Sequence, residues 1–199
     1  MITAGRTPTG EEDLYSILSD AEYNQALKQV QELTQLPITM YDEGSKLSAG
    51  QIEDLRKGIE LTKKLIAFQP TQFGPYFVMA KAQKALGNVD EAIRNGEQAL
   101  LLVPMDAQDL ETQSVVAEIA HVVSVYYYDT GKYERAEQLS DQAVQLFTTN
   151  PDYLAGAAAI KSQLGKLDDA RLYVDTALAI DPKNPTALEL DGELKRVGR

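Results

Sequence analysis

The chain has 199 residues, 44% of them hydrophobic and 25% charged, a balance that supports a folded core and excludes wholesale disorder. Against 19 Lys and Arg stand 30 Asp and Glu, and the net charge of −11 repels nucleic-acid phosphates and anionic lipid surfaces. Cysteine is absent, which removes disulfides, thiolate nucleophiles and Cys-ligated zinc.

Residues 1–10 are expected to be a flexible tail. No apolar run of signal-peptide type follows it, and no window reaches the roughly 18 uninterrupted apolar residues of a membrane span, so a cytoplasmic protein is expected. Thr9 and Glu12 have capping-box spacing, which predicts a helix that Pro37 ends. A long loop around "ITMYDEGSK" is expected next. Ser48 and Gln51 repeat the capping device and open a second helix that stops before Pro70. The two helices read as one hairpin over residues 11–70.

Beyond Pro70 three stretches align: Lys84–Pro104, Tyr128–Thr148 and Ser162–Pro182. Each has a glycine (Gly87, Gly131, Gly165), an alanine five residues later (Ala92, Ala136, Ala170) and another seven further on (Ala99, Ala143, Ala177). A glycine can close a helix in the left-handed conformation. Acids just after it (Asp90, Glu134, Asp168) suit the positive start of the next helix. Alanines seven apart share one helix face and let a neighbouring helix come close. These are helix–turn–helix hairpins in series, and "NPTALELDGELKRVGR" adds a last helix from Pro185, with Leu188, Leu190 and Leu194 as its expected apolar face.

The pattern resembles the tetratricopeptide repeat family, whose unit is 34 residues. Gly131 and Gly165 stand 34 apart, whereas Gly87 and Gly131 stand 44 apart, a unit plus ten inserted residues. In that register the repeats are 73–106, 117–150 and 151–184, with an insertion at 107–116 and a capping helix at 185–199. The insertion lacks Gly and Pro, so it is expected to lengthen a first helix spanning about Ala107–Thr130. The small position of the first helix holds Ala80, Ser124 and Ala158; the family's tyrosine is kept at Tyr127 and replaced by Gln83 and Lys161.

The resemblance implies an all-α solenoid of such hairpins in a right-handed superhelix. It implies a partner-binding groove lined by Phe77, Val78, Lys81 and Lys84; by His121, Val122, Val125, Tyr128 and Asp129; and by Ala155, Gly156, Ala159 and Ser162. In the cluster Tyr126–Tyr128, Tyr127 is the family's buried tyrosine, Tyr126 packs beside it, and Tyr128 turns toward the groove. The expected occupant is a protein or peptide segment with apolar side chains. A self-associating scaffold is the alternative, and a homo-oligomer is compatible with both. Lys and Arg are missing from the positions that would clamp a terminal carboxylate.

Other chemistry finds little support. His121 is the only histidine, and no nucleophile elbow accompanies Ser124. Asp168–Asp169 and Glu11–Asp13 fall at helix starts, where acids offset the dipole. Neither GxGxxG nor GxxxxGK[ST] occurs. The sequence predicts neither an enzyme nor a protein that holds a cofactor or metal.

Overall fold

A computed structural model describes residues 19–104 and 109–197, in which every regular element is a helix. They are α1 (Asp20–Asp42), α2 (Ala49–Phe68), α3 (Phe73–Ala85), α4 (Val89–Leu102), α5 (Leu110–Asp129), α6 (Tyr133–Leu146), α7 (Pro151–Gln163), α8 (Leu167–Ile180) and α9 (Pro185–Val197). The chain divides into two compact units, one ending at Asn88 and one starting at Val89.

In the first unit α1, α2 and α3 pack on one another. The expected start at Thr9 and the tail at 1–10 lie outside the described residues. The described start of α1 uses the same device ten residues later: Ser19 Oγ accepts from the Glu22 amide, and Glu22 Oε2 accepts from the Ser19 amide at 2.7 Å. Pro37 does not end α1, which runs on through Asp42, so the long loop expected after it is shortened to residues 43–48. An interior proline loses one backbone hydrogen bond and clashes with the preceding turn, at a cost of about 3 kcal/mol. Here Pro37 and Ile38 are buried, and Ile38 joins Leu55, Ile59, Met79 and Ala82 in the core, which offsets that cost. The capping box of Ser48 and Gln51 is formed, and α2 stops before Pro70 as expected.

In the second unit α4 packs on α5, α5 on α6, α6 on α7, α7 on α8, and α9 on both α7 and α8. Helices α5 and α7 also touch directly. The six alanines of the aligned stretches lie on α4, α6 and α8, and every one of them is fully buried. Helix α5 begins at Leu110 with Asp109 capping the Thr112 amide, shorter than the expected 107–130; residues 107 and 108 lie outside the described set. Since α7 has 13 residues and α5 has 20, the insertion adds seven helical residues, about 10 Å of rise.

The bends are the repeating device. Gly87, Gly131 and Gly165 have φ of +83°, +73° and +72°. In each, the glycine N–H donates to the carbonyl three residues back (Lys84, Tyr128, Ser162), and the next N–H donates to the carbonyl five back (Gln83, Tyr127, Lys161), all at 2.9–3.0 Å. Gly44, after α1, makes the same pair of bonds with Tyr41 and Met40 at φ +77°. This is the Schellman closure, in which a left-handed residue satisfies two helix-end carbonyls.

At the C-terminal end, Asn184 caps α9 by accepting from the Ala187 amide and donates Nδ2 to Asp152 of α7 at 2.7 Å. The buried face of α9 is Ala187, Leu190 and Leu194; Leu188 is half exposed and does not belong to it. Helical rotation explains the correction, because Leu188 is turned about 100° from Ala187.

Candidate partner-binding face

Helices α5 and α7 run in register 34 residues apart, so Ala117 answers to Pro151. Their buried residues repeat at equivalent positions: Ala120 with Leu154, Ser124 with Ala158, Tyr127 with Lys161. The stripe left toward solvent repeats as well. On α5 it is Glu118, Val122, Val125 and Asp129; on α7 it is Asp152, Gly156, Ala159 and Gln163. Steps of four, three and four residues hold each set on one side of its helix.

Two aromatic side chains close the seam between these helices. The His121 ring lies 4.9 Å from the Tyr153 ring, centre to centre. A Cβ on Gly156 would come within 2.9 Å of His121 Cε1, so glycine leaves room for the imidazole. Burial pushes the His121 imidazole below its ordinary pKa, against a smaller opposing pull from Asp152. Its Nδ1 is buried with no hydrogen-bond partner among the described residues. Further along, the Tyr128 ring meets that of Tyr133 at 5.6 Å. Burial raises the Tyr128 hydroxyl pKa.

The three tyrosines of the cluster differ in burial. Tyr126 and Tyr127 are buried, and Tyr128 stands half-buried at the edge of the stripe. Of the residues expected to line a groove, His121, Val125, Tyr128, Asp129 and Ala159 come together on the α5–α7 face. Ala155 does not reach it. That alanine is 1% exposed, packed among Val144, Leu154 and Ala177, and it backs the wall from inside. In the other unit Phe77, Val78, Lys81 and Lys84 are all half-buried on α3. Lys81 Nζ sits 5.1 Å from the centre of the Phe77 ring, while Val78 leans on the core of Tyr23, Val30 and Leu65.

Sequence reasoning missed Lys161. It fills the position of the family's tyrosine and is 6% exposed, and its ammonium lies 3.0 Å from Glu137 Oε1 and 2.9 Å from Asp141 Oδ1 on α6. Burial alone would lower its pKa, but the two carboxylates more than compensate and raise it. Lys166 also pairs with Glu137, whose carboxyl stays below its usual range because both lysines outweigh the cost of burial. The visible signal was Glu137 and Asp141 four residues apart on the helix packed against α7. No relay forms at His121. The Ser124 hydroxyl donates to the His121 backbone carbonyl at 2.7 Å rather than to the ring. Among the described residues no three His, Cys, Asp or Glu side chains are grouped to hold a metal, and no helix is long and apolar enough to cross a membrane.

Residues 127–192 match the family model described as tetratricopeptide repeat. That match spans a third of the chain. Solved structures of such hairpin stacks resemble the chain across most of its length. MamA 41-end from Desulfovibrio magneticus RS-1 superposes with a TM-score of 0.64 at 11% identity, covering 85% of each chain. PilW, a widely conserved type IV pilus biogenesis factor, gives 0.62 at 18% identity over 84% of this chain and 69% of its own. The first tetratricopeptide repeat of Spaghetti (RPAP3), bound to the HSP90 peptide SRMEEVD, gives 0.53 at 19% identity over 63% of this chain and 94% of its own. At these identities the likeness establishes the all-α fold of helical hairpins. No curated protein matches the chain.

Proposed function

We propose that this chain is a protein–protein interaction module, an adaptor or chaperone, that receives a segment of a partner protein on the α5–α7 face. Repeats of this kind give extended surfaces from equivalent positions of successive units. The supporting observation is the duplicated stripe. Val122 and Val125 on α5 answer to Gly156 and Ala159 on α7, all half-buried, so an apolar strip narrows from branched to small side chains. Such a strip suits an extended or helical segment that presents apolar side chains to it. The peptide held by the Spaghetti repeat is a precedent for segment binding by the fold. The cysteine-free sequence suits a cytoplasmic setting.

The test is recovery of partners from native lysate by the wild-type chain, by Val122→Asp/Val125→Asp, and by Leu172→Asp on the exposed side of α8. Loss of the recovered proteins with the α5 variant alone is expected. Equal recovery by all three removes this face from the function.

Self-association is the second reading. Leu172 is 61% exposed on α8 and Leu188 49% exposed on α9, apolar surface that a second copy could cover. A mass that rises with concentration in light scattering, and falls back in Leu172→Asp, would favour it.

A further inference from the structure

The first unit carries a pocket of about 480 Å³. It opens where the Gly44 bend sends the chain from α1 into α2, so that residues 45–47 cross beside the ends of α1 and α3. Leu47, Ile52, Ala85 and Leu86 give it apolar walls. Three of these, Leu47, Ala85 and Leu86, lean on the buried Ile38–Leu55–Ile59 cluster, so the floor is continuous with the core and held in place by it. The rim is polar and cationic, with Lys46 from the bend, Arg56 from α2, and Tyr41, Ser45 and Asn88 around them.

Charge sets the choice of occupant. The chain as a whole is strongly acidic, yet no carboxylate lines this pocket and two cations do. Among the described residues neither Lys46 nor Arg56 forms an ion pair or hydrogen bond with its side chain. Asp42, at the end of α1, does not line the pocket and interacts with Lys81 of α3. Guanidinium is a good fork for a carboxylate, and an ammonium adds a second attractive charge. A polyanion such as nucleic acid would meet the repulsion of a chain whose net charge is −11, whereas one or two carboxylates are felt only within a screening length of about 8 Å.

We propose that this pocket is a second docking site, for an acidic and apolar segment of a partner protein. One apolar side chain of the segment rests on Leu47, Ile52 and Leu86, and a neighbouring Asp or Glu meets Arg56 and Lys46 at the rim. Ser45, Tyr41 and Asn88 are placed to hydrogen-bond its main chain. The site belongs to the first unit and does not depend on the α5–α7 reading.

Amide NMR of the full chain tests this with two synthetic probes, acetyl-Leu-Glu-Glu-Leu-Phe-amide and its Gln-for-Glu counterpart. The acidic peptide is expected to shift the amides of Leu47, Ile52 and Leu86. Lys46→Gln/Arg56→Gln should weaken that binding by about tenfold or more, while Val122→Asp/Val125→Asp leaves it unchanged. Raising salt from about 0.05 to 0.3 M should weaken it as well. Equal binding of the neutral peptide would reduce the pocket to apolar surface and overturn the proposal. So would unchanged affinity in the double variant, shifts only at α5 and α7, or no shift at millimolar acidic peptide.

Discussion

The α1–α2 hairpin and the α7–α8 hairpin meet one requirement, close approach of two helices, with different residues. In the later hairpin the second helix offers Ala170 and Ala177, both fully buried. Counted back from Pro70 as these are from Pro182 and Pro104, the corresponding positions of α2 are Gly58 and Leu65. Gly58 presses against Thr34 of α1, where a Cβ would come to 2.4 Å from Thr34 Cγ2, and Leu65 is fully buried in the neighbouring cluster. The bend also moves. Gly44 lies nine residues earlier than the 34-residue register requires, because α2 has 20 residues where α8 has 14 and the link from the glycine to the helix is longer. The 34-residue spacing is therefore not kept in the first hairpin, while the same physical devices, a left-handed closure and a small residue at the crossing, are present.

The hairpins can be broken separately. The largest effect is expected in the later one from Lys161→Ala, which leaves Glu137 and Asp141 as partly buried carboxylates without their lysine. Loss of one partner of a buried pair costs about 3 kcal/mol, to be read from the urea midpoint. Lys161→Met, which fills the volume, should recover part of that loss. In the earlier hairpin Gly58→Ala forces α1 and α2 apart and should cost about 2 kcal/mol by overpacking. Pairing it with Thr34→Ser, which removes the methyl in the way, should return most of the stability; failure to do so would mean Gly58 is not a contact residue. Next come the bends. Gly44→Ala and Gly165→Ala should each cost about 1 kcal/mol, since both put a Cβ on a left-handed residue with nothing within 4 Å to clash. Equal losses would show that the earlier and the later hairpins close alike.

The smallest effect concerns pH, and only the later unit. Half-buried His121 has a depressed pKa, so between that value and the ordinary 6.5 the unfolded chain binds the extra proton. Its contribution is fully present above about pH 6.5 and is lost as pH falls below it. Unfolding free energy should therefore decline between pH 7.5 and 5.5, and His121→Gln should flatten the decline. Glu137, also depressed, acts in the same direction but at lower pH, in the carboxylate range.

Most of the later unit was legible in the sequence because its signals are local. A glycine, the acid after it and two alanines at fixed steps each have one physical role, and Gly131 and Gly165 with their alanines carry them out. Pro37 was misread for the opposite reason. Its local preference to end a helix is outweighed by burial beside Ile38, a fact of tertiary packing that no short window contains. Leu188 was assigned to the buried face of α9 on composition, and only the helical phase set by Ala187 and Leu190 excludes it. The repeat register also put Ala155 on the candidate face, but that alanine is buried, because one position of register separates the solvent stripe from the wall behind it. Lys161 escaped because a cation in a tyrosine position becomes meaningful only once Glu137 and Asp141 are seen opposite it.

Partner contact at the α5–α7 stripe is tested most directly by a photo-cross-linking residue placed at Val125 and, separately, at Leu172, each irradiated in native lysate. The account expects a discrete adduct from Val125, absent when Val122 is also changed to Asp, and none from Leu172. An adduct at Leu172 with none at Val125 would contradict it.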